Sequence, residues 1–286
     1  MKNFEYINAS TLTDALKALD ELGEKAFLVA GGTNVMVYIR SGKRNDRTLV
    51  NIRGIDELRG ISVDNGVVCI GALTTLTQIS KSETLKVNAP GLYAAGNVFA
   101  DPTTRNSATI GGNVANAGAG GDTIPSLMVL NAVAHLKSLN GGREIPVCDL
   151  FTGPGRTCMA PNEILTHFTF KAEPHIGFIK MSMRNSMSIA MASAAAYVKL
   201  EADGTIADCR LALGAVAPTP VRARNAEKAL IGNKLDDATF AHMGEEVQKD
   251  MNPREPSVRA TITYRREVMP VLVKRALKLA AYGECM

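Results

Sequence analysis

Two glycine-rich segments, about eighty residues apart, constrain this 286-residue chain more than any other feature. The first reads Leu28-Val29-Ala30-Gly31-Gly32-Thr33-Asn34-Val35. The second reads Thr109-Ile110-Gly111-Gly112-Asn113 and runs on to Ala117-Gly118-Ala119-Gly120-Gly121-Asp122. Each joins an apolar run to a glycine pair and then to a small polar residue. Glycine permits positive φ and close approach of a ligand to the backbone. Successive N–H groups in such turns form anion-binding concavities. Two such loops point to one diphosphate held from both sides, as in a dinucleotide or flavin nucleotide. The two common nucleotide signatures do not fit. Gly31-Gly32-Thr33-Asn34 lacks the G-x-G-x-x-G spacing, and no Gly-Lys-Ser/Thr of a P-loop occurs; Gly42-Lys43-Arg44 is no match.

The pattern around these loops is mixed. Thr11-x-x-Asp14 is a capping box that opens a helix, with Leu12, Ala15, Leu16, Leu19 and Leu22 at helical spacing and Gly23 as its stop. Strands are expected at 26–30 and 48–52, with a hairpin at 61–63 and 67–70 around Asp64-Asn65-Gly66. Helices are expected at 75–81, 90–99 and 124–130. A second hairpin at 132–139 and 144–147 and a strand at 164–170 follow. After Glu173-Pro174-His175 the pattern changes to three antiparallel strands, 178–183, 193–200 and 206–213. Helices at 223–230, 237–249 and 261–282 close the chain, the last kinked or split at Pro270. The expected division is 1–172, with subdomains of about 1–56 and 57–172, followed by 173–286.

Composition excludes several classes. A hydrophobic fraction of 46% with 21% charged residues is that of a globular protein rather than a disordered one. The net charge of +4 is diffuse. Its densest stretches, Lys43-Arg44 with Arg47 and the run from Arg259 to Arg266, lack the interleaved aromatics of a nucleic-acid surface. Cys69, Cys148, Cys158, Cys209 and Cys285 stand alone, without iron–sulfur or zinc spacing, which fits a reducing cytoplasm. The first residues carry no signal-peptide core, and the most apolar stretch, 187–200, is too short to span a membrane. No nucleophile–base pair and no metal-ligand cluster is legible. His135, His167, His175 and His242 are spread out and read as structural or exposed.

The two loops, taken with three further segments, resemble the FAD-binding medium subunit of molybdenum hydroxylases, the group of xanthine, carbon monoxide and nicotinate dehydrogenases. The further segments are Asp101-Pro102-Thr103-Thr104-Arg105-Asn106, the run from Leu213 to Ala223, and Val258-Arg259-Ala260-x-x-x-Tyr264-Arg265. Asp122 also stands nine residues after Asn113. The likeness covers nearly the whole chain. It implies an α+β architecture: a two-subdomain FAD-binding fold of the vanillyl-alcohol-oxidase and molybdenum-hydroxylase type, plus a C-terminal α+β domain with a three-stranded antiparallel sheet covering the flavin.

The resemblance also implies roles. Leu28, Val29, Ala30, Gly31, Gly32, Thr33, Asn34 and Val35 form one side of a pyrophosphate cradle, and Thr109, Gly112 and Asn113 the other. Asp122 accepts from a ribose hydroxyl, caps the helix after it, or does both. Phe99 and Ala100 line the adenosine end, unless Phe99 is core. Leu165 touches the nucleotide. Lys180 reaches the flavin ring, where a cation stabilises the reduced form, or is an ordinary strand lysine. Arg105 neutralises phosphate or meets a partner subunit; Arg184 is a second cation or surface. Two positions depart from the family. Gly118 replaces a frequent hydroxyl residue, and Ser188 a frequent acid. The inserted cluster loop of thioester-reducing relatives is absent.

The implied function is electron transfer. A separate large subunit hydroxylates a purine or another N-heterocycle at molybdopterin. Two [2Fe-2S] clusters of a small subunit carry electrons to FAD in this chain, which passes them to NAD or another acceptor. The implied assembly is a cytoplasmic heterotrimer or a dimer of trimers, with no nucleic-acid partner. The competing readings are a stand-alone FAD-dependent oxidoreductase and a nucleotide-sensing module that has lost FAD.

Overall fold

The computed structural model describes residues 4–42, 47–255 and 257–283. Lys43, Arg44 and Cys285 lie outside them. Three apolar cores organise the chain, one beside each of its main sheets.

The first sheet comes from β1 (Tyr6–Asn8), α1 (Leu12–Leu22), β2 (Ala26–Val29), α2 (Val35–Arg40) and β3 (Thr48–Asn51). Its strands are parallel, in the order β1-β3-β2. The capping box forms as expected. Asp14 N–H donates to Thr11 Oγ1 at 3.1 Å, and Thr11 N–H donates to Asp14 Oδ2 at 3.2 Å. Leu12, Ala15, Leu16 and Leu19 are buried against Val50, with Leu73 and Ile164 from the next unit in the same core. This small unit therefore does not close its core alone.

The second unit runs β4 (Ile61–Asp64), β5 (Val67–Gly71), α3 (Leu76–Ser80), α4 (Glu83–Asn88), α5 (Pro90–Asn97), α6 (Pro102–Ser107), α7 (Ile110–Ala115), α8 (Thr123–Val129), β6 (Val133–Ser138), β7 (Gly141–Pro146), β8 (Phe151–Gly153), β9 (Arg156–Thr157) and β10 (Ile164–Lys171). The sheet is antiparallel throughout, in the order β4-β5-β10-β6-β7, and contains both expected hairpins. Asn65 and Gly66 turn the first with φ of 48° and 75°, the requirement of a tight hairpin turn. The helix expected at 90–99 ends at Asn97, so Val98, Phe99 and Ala100 form a connecting wall.

The last unit holds β11 (Ile176–Met181), β12 (Ala192–Leu200), β13 (Ile206–Gly214), β14 (Val221–Arg222), α9 (Arg224–Leu230), α10 (Asp237–Asp250) and α11 (Ile262–Tyr282). A fourth strand, β14, thus extends the three expected, in the order β11-β12-β13-β14. The small residues of β12 are buried on both faces. Gly177 lets α11 approach the sheet: a Cβ there would stand 2.1 Å from Ala276 O. Helix α11 is continuous, and Pro270 does not split it. Proline at that point leaves the carbonyl of Arg266 without its helical donor; Gln248 Nε2–H supplies one at 2.8 Å. Gly244 of α10 leaves room for the ring, since a Cβ there would meet Pro270 Cβ at 3.4 Å. Among the described residues no helix is long and apolar enough to cross a membrane.

Candidate functional site

Both glycine segments border one cleft, but they contribute differently. The first is a strand–turn–helix. β2 ends at Val29, Gly32 adopts φ of 73°, and α2 begins at Val35. The backbone N–H groups of Gly31, Gly32, Thr33 and Asn34 donate to no protein acceptor among the described residues. Four consecutive free donors of this kind make a nest for an anion.

The second segment is a helix rather than a turn. Gly-Gly-Asn is a poor helix former, so α7 depends on its cap and its burial. Thr109 Oγ1 accepts Gly112 N–H at 3.1 Å, and Ile110 and Val114 are buried. Asn113 N–H donates to Thr109 O, Ile110 N–H to Thr74 O and Gly111 N–H to Ala72 O, at 2.9, 3.0 and 2.8 Å. The amides of 110–113 are therefore all paired. The free amides of the second segment lie further along it instead: the N–H groups of Gly118, Ala119 and Gly120 donate to no protein acceptor among the described residues. What Thr109 and Asn113 retain are side-chain donors. Asn113 Oδ1 takes the Thr123 hydroxyl at 2.8 Å, which leaves the amide NH₂ of Asn113 for a ligand.

Two of the glycines serve protein contact. A Cβ at Gly31 would lie 1.9 Å from Ser107 O, and one at Gly111 would lie 2.6 Å from Ala72 Cβ. The first loop thus meets Ser107 and Ala108, just ahead of the second segment, at a backbone contact that excludes side chains, and the second segment meets Ala72 in the same way. Tyr38 Oη–H donates to Asn116 Oδ1 at 3.1 Å and ties α2 across the same seam.

The cleft has two adjoining cavities. The first, about 230 Å³, is bordered by the first segment, by Thr109, Gly112 and Asn113, and by Leu165. Among the described residues, no ionisable acid or base lines it except the Tyr38 phenol. The second, about 630 Å³, shares Asn34, Phe99, Asn113 and Asn116 with the first. It continues past Ala100, Gly118–Gly121 and Asp122 to the loops around Met187 and Arg259.

Of the expected site residues, Leu28, Ala30, Gly31, Gly32, Thr33, Asn34, Val35, Phe99, Thr109, Gly112, Asn113 and Leu165 line the first cavity. Ala100 and Asp122 line the second. Val29, Arg105 and Lys180 line neither. Val29 pairs with Asn51 in the sheet. Arg105 Nη1–H donates to Phe99 O at 2.7 Å, so it fixes the wall after α5. Lys180 Nζ donates to Asp122 Oδ2 at 2.7 Å and to Val98 O at 3.1 Å. It lies behind that wall, and its side chain is 3% exposed.

Asp122 heads α8 without making a side-chain cap, which removes the capping role. Its Oδ1 is buried and unpartnered. Burial pushes its carboxyl up to about 6, only partly offset by the Lys180 ammonium. An orphaned acceptor at a cavity wall suits a ligand hydroxyl, since an unmet buried acceptor costs about 1–3 kcal/mol.

Backbone strain gathers at the second cavity. Ala100, Met187 and Ala215, which line it, adopt φ of 41°, 53° and 63°, at roughly 1–2 kcal/mol each. Met187 N–H donates to Ala100 O at 3.2 Å, and Ala215 N–H to Ala119 O at 2.7 Å, so these residues bridge the second and third units. Such strain persists only where surrounding structure imposes it, and it concentrates at functional sites. Tyr38, Asn116 and the 254–265 arginines are site residues that the glycine motifs did not point to. His135 and His167, expected apart, stack with centroids 4.0 Å apart, yet they line neither cavity. Among the described residues no group of three potential ligands could hold a metal.

A deep cleft with an uncharged amide nest at one end and an orphaned hydroxyl acceptor further along defines a nucleotide-binding protein. The chain belongs to the family of FAD-binding domains in molybdopterin dehydrogenases, whose model matches residues 2–170. The CO dehydrogenase flavoprotein C-terminal domain model matches residues 178–280. The xanthine dehydrogenase FAD-binding subunit of Escherichia coli O157:H7 is 34% identical over 280 residues, covering 96% of this chain and 95% of that one. The glyceraldehyde dehydrogenase medium chain of Sulfolobus acidocaldarius is 32% identical, covering 97% and 98%. A structure of reconstituted CO dehydrogenase from Oligotropha carboxidovorans superposes with a TM-score of 0.93 at 28% identity, covering 98% of each chain. The α+β architecture is therefore that of an FAD-binding oxidoreductase subunit. The residues present fit the cofactor: free amides for phosphates and an unmet acceptor for a hydroxyl.

Proposed function

We propose that this chain is the flavin relay of a heteromeric molybdenum hydroxylase. The observation that carries the reading is the run of four unpartnered amides, 31–34, facing the Thr109 and Asn113 side chains across one cleft. In this reading the amides of Gly31 to Asn34 hold the pyrophosphate of FAD. Asn113 Nδ2 adds a donor, Asp122 Oδ1 accepts a ribose hydroxyl, and Phe99 and Leu165 pack on the nucleotide. Lys180 orients Asp122 and carries positive charge towards the flavin from behind the wall. FAD supplies the redox chemistry; the protein supplies binding and electrostatics.

The partners in this reading are a molybdopterin large subunit and a [2Fe-2S] small subunit, in a cytoplasmic heterotrimer or dimer of trimers. Electrons arrive from the clusters and leave to NAD or another soluble acceptor. The likeness to a xanthine dehydrogenase subunit favours a purine as the substrate hydroxylated in the large subunit. The chain divides as 1–56, 57–172 and 173–286.

The test is an absorbance spectrum of the chain purified with whatever accompanies it, with subunits identified by mass. Flavin and iron–sulfur absorbance with two further subunits is the expected result. The chain alone is expected to bind FAD and to leave purines unoxidised. A lone yellow chain that turns over a substrate would replace this reading with a stand-alone oxidoreductase.

A further inference from the structure

Helix α2 follows the amide nest directly, yet little in its own sequence holds it. Val35, Val37 and Ile39 are β-branched, which lowers helix propensity. Asn34 makes no side-chain cap, and none of the six helical residues is buried. The helix is tied to the nest through its backbone: Met36 N–H donates to Gly32 O and Tyr38 N–H to Asn34 O, each at 3.0 Å. Whatever fixes α2 therefore fixes the direction in which the free amides of 31–34 point.

The Tyr38 phenol is that attachment. It donates to Asn116 Oδ1 at 3.1 Å, and among the described residues no other side chain of α2 makes a hydrogen bond or an ion pair. Asn116 closes the C-terminal end of α7, where its N–H donates to Gly112 O at 3.1 Å. One hydrogen bond thus links the helix after the first glycine segment to the helix within the second. The same bond orients Asn116. With Oδ1 engaged by the phenol, the Nδ2 amide remains, a group that only donates. It has no acceptor among the described residues. It lies over Gly118, where a Cβ would stand 3.3 Å from it.

Asn116 borders both cavities, as do Asn34, Phe99 and Asn113, and none of these shared residues is ionisable. The free N–H of Asn34 and the NH₂ groups of Asn113 and Asn116 are therefore donors at the junction, with no shared cation beside them. We infer that Asn116 donates through Nδ2 to an ionised diphosphate oxygen of the cofactor, and that Tyr38 is the residue that positions it. An N–H donor gains most from an ionised acceptor, and the diphosphate is the ionised part of FAD. The inference rests on the flavin reading and adds to it a donor and the residue that aims it, neither of which the glycine motifs contain.

The experiment frees the full chain of FAD, titrates it with FAD by flavin fluorescence, and records the phosphorus NMR spectrum of the bound cofactor. Asn116→Ala is expected to weaken FAD binding about tenfold or more, the size of a lost hydrogen bond to a charged group. Tyr38→Phe keeps the ring, removes only the hydroxyl, and is expected to weaken binding about threefold to tenfold. Adding Tyr38→Phe to Asn116→Ala is expected to change the affinity by no more than about twofold, because the phenol acts through the amide. Both single variants are expected to move the diphosphate resonances and to leave the visible flavin spectrum as in the parent. Unchanged affinity in Asn116→Ala overturns the inference, and so do additive losses in the double variant. Weaker binding with unmoved diphosphate resonances overturns it too, since it would give both residues a packing role. If Asn116→Ala does not fold, unmoved resonances in Tyr38→Phe are sufficient to refute the inference. A parent chain that takes up no FAD would instead sink the flavin reading itself.

Discussion

The contact at Gly31 yields the sharpest prediction. Alanine there would place a Cβ 1.9 Å from Ser107 O, 2.6 Å from Ser107 C and 3.0 Å from Ala108 Cα. These are backbone atoms, so no rotamer change can relieve them. Restoring an ordinary contact of about 3.4 Å requires one loop to move by about 1.5 Å, and overpacking of this kind costs about 1–3 kcal/mol. That movement separates the amide nest from Thr109 and Asn113. At 1.4 kcal/mol per decade, FAD affinity is expected to fall by about 10–100-fold. Gly54→Ala is the control, since a Cβ there meets nothing within 4 Å. The assay is titration of the apo chain with FAD by flavin fluorescence, with thermal unfolding recorded in parallel. Gly31→Ala retaining the affinity and melting temperature of Gly54→Ala would refute the argument that a backbone contact sets the cradle.

The other predictions concern the buried pair. Because the folded Asp122 carboxyl is raised to about 6, against about 3.9 in the unfolded chain, the folded protein holds the proton more tightly. Its contribution to stability is fullest below about pH 4 and falls as pH rises through 6, by about 3 kcal/mol in total. Asp122→Asn is expected to flatten the stability profile across pH 4–6; parallel profiles for parent and variant in denaturant titrations would count against it. Lys180→Met strips the buried carboxylate of its cation and is expected to cost about 3–5 kcal/mol at pH 7.5. Adding Asp122→Asn should recover part of that loss, and strictly additive melting shifts would mean that the two residues do not interact.

Local chemistry was legible in the sequence. The Thr11 capping box, the Asn65-Gly66 hairpin and the two glycine segments are signals carried within a few residues, and each appears where expected. Elements defined by distant contacts were not legible. β1 has only three residues and exists because β3 pairs with it. β14 has two residues and leans on β13. α7 was hidden because its glycines have low helix propensity, and only the Thr109 cap and the burial of Ile110 and Val114 hold it. Pro270 misled in the opposite direction. A proline inside a helix reads as a break, and nothing local announces that Gln248 will satisfy the orphaned carbonyl. At the site, the motifs located the cradle but not the pairing of its amides. Which N–H groups remain free depends on Ala72 and Thr74, which are remote from the glycines in sequence.

The cleft is assembled from far-separated parts of the chain. Its first wall begins at Phe27 and is completed only by Leu165, and its far end needs Arg265 from the last helix. During synthesis the amide nest leaves the ribosome early, while the surfaces that face it are still unmade. Cofactor capture therefore belongs to the finished polypeptide rather than to the growing one. A shortage of flavin would therefore strike a pool of complete, released chains rather than nascent ones.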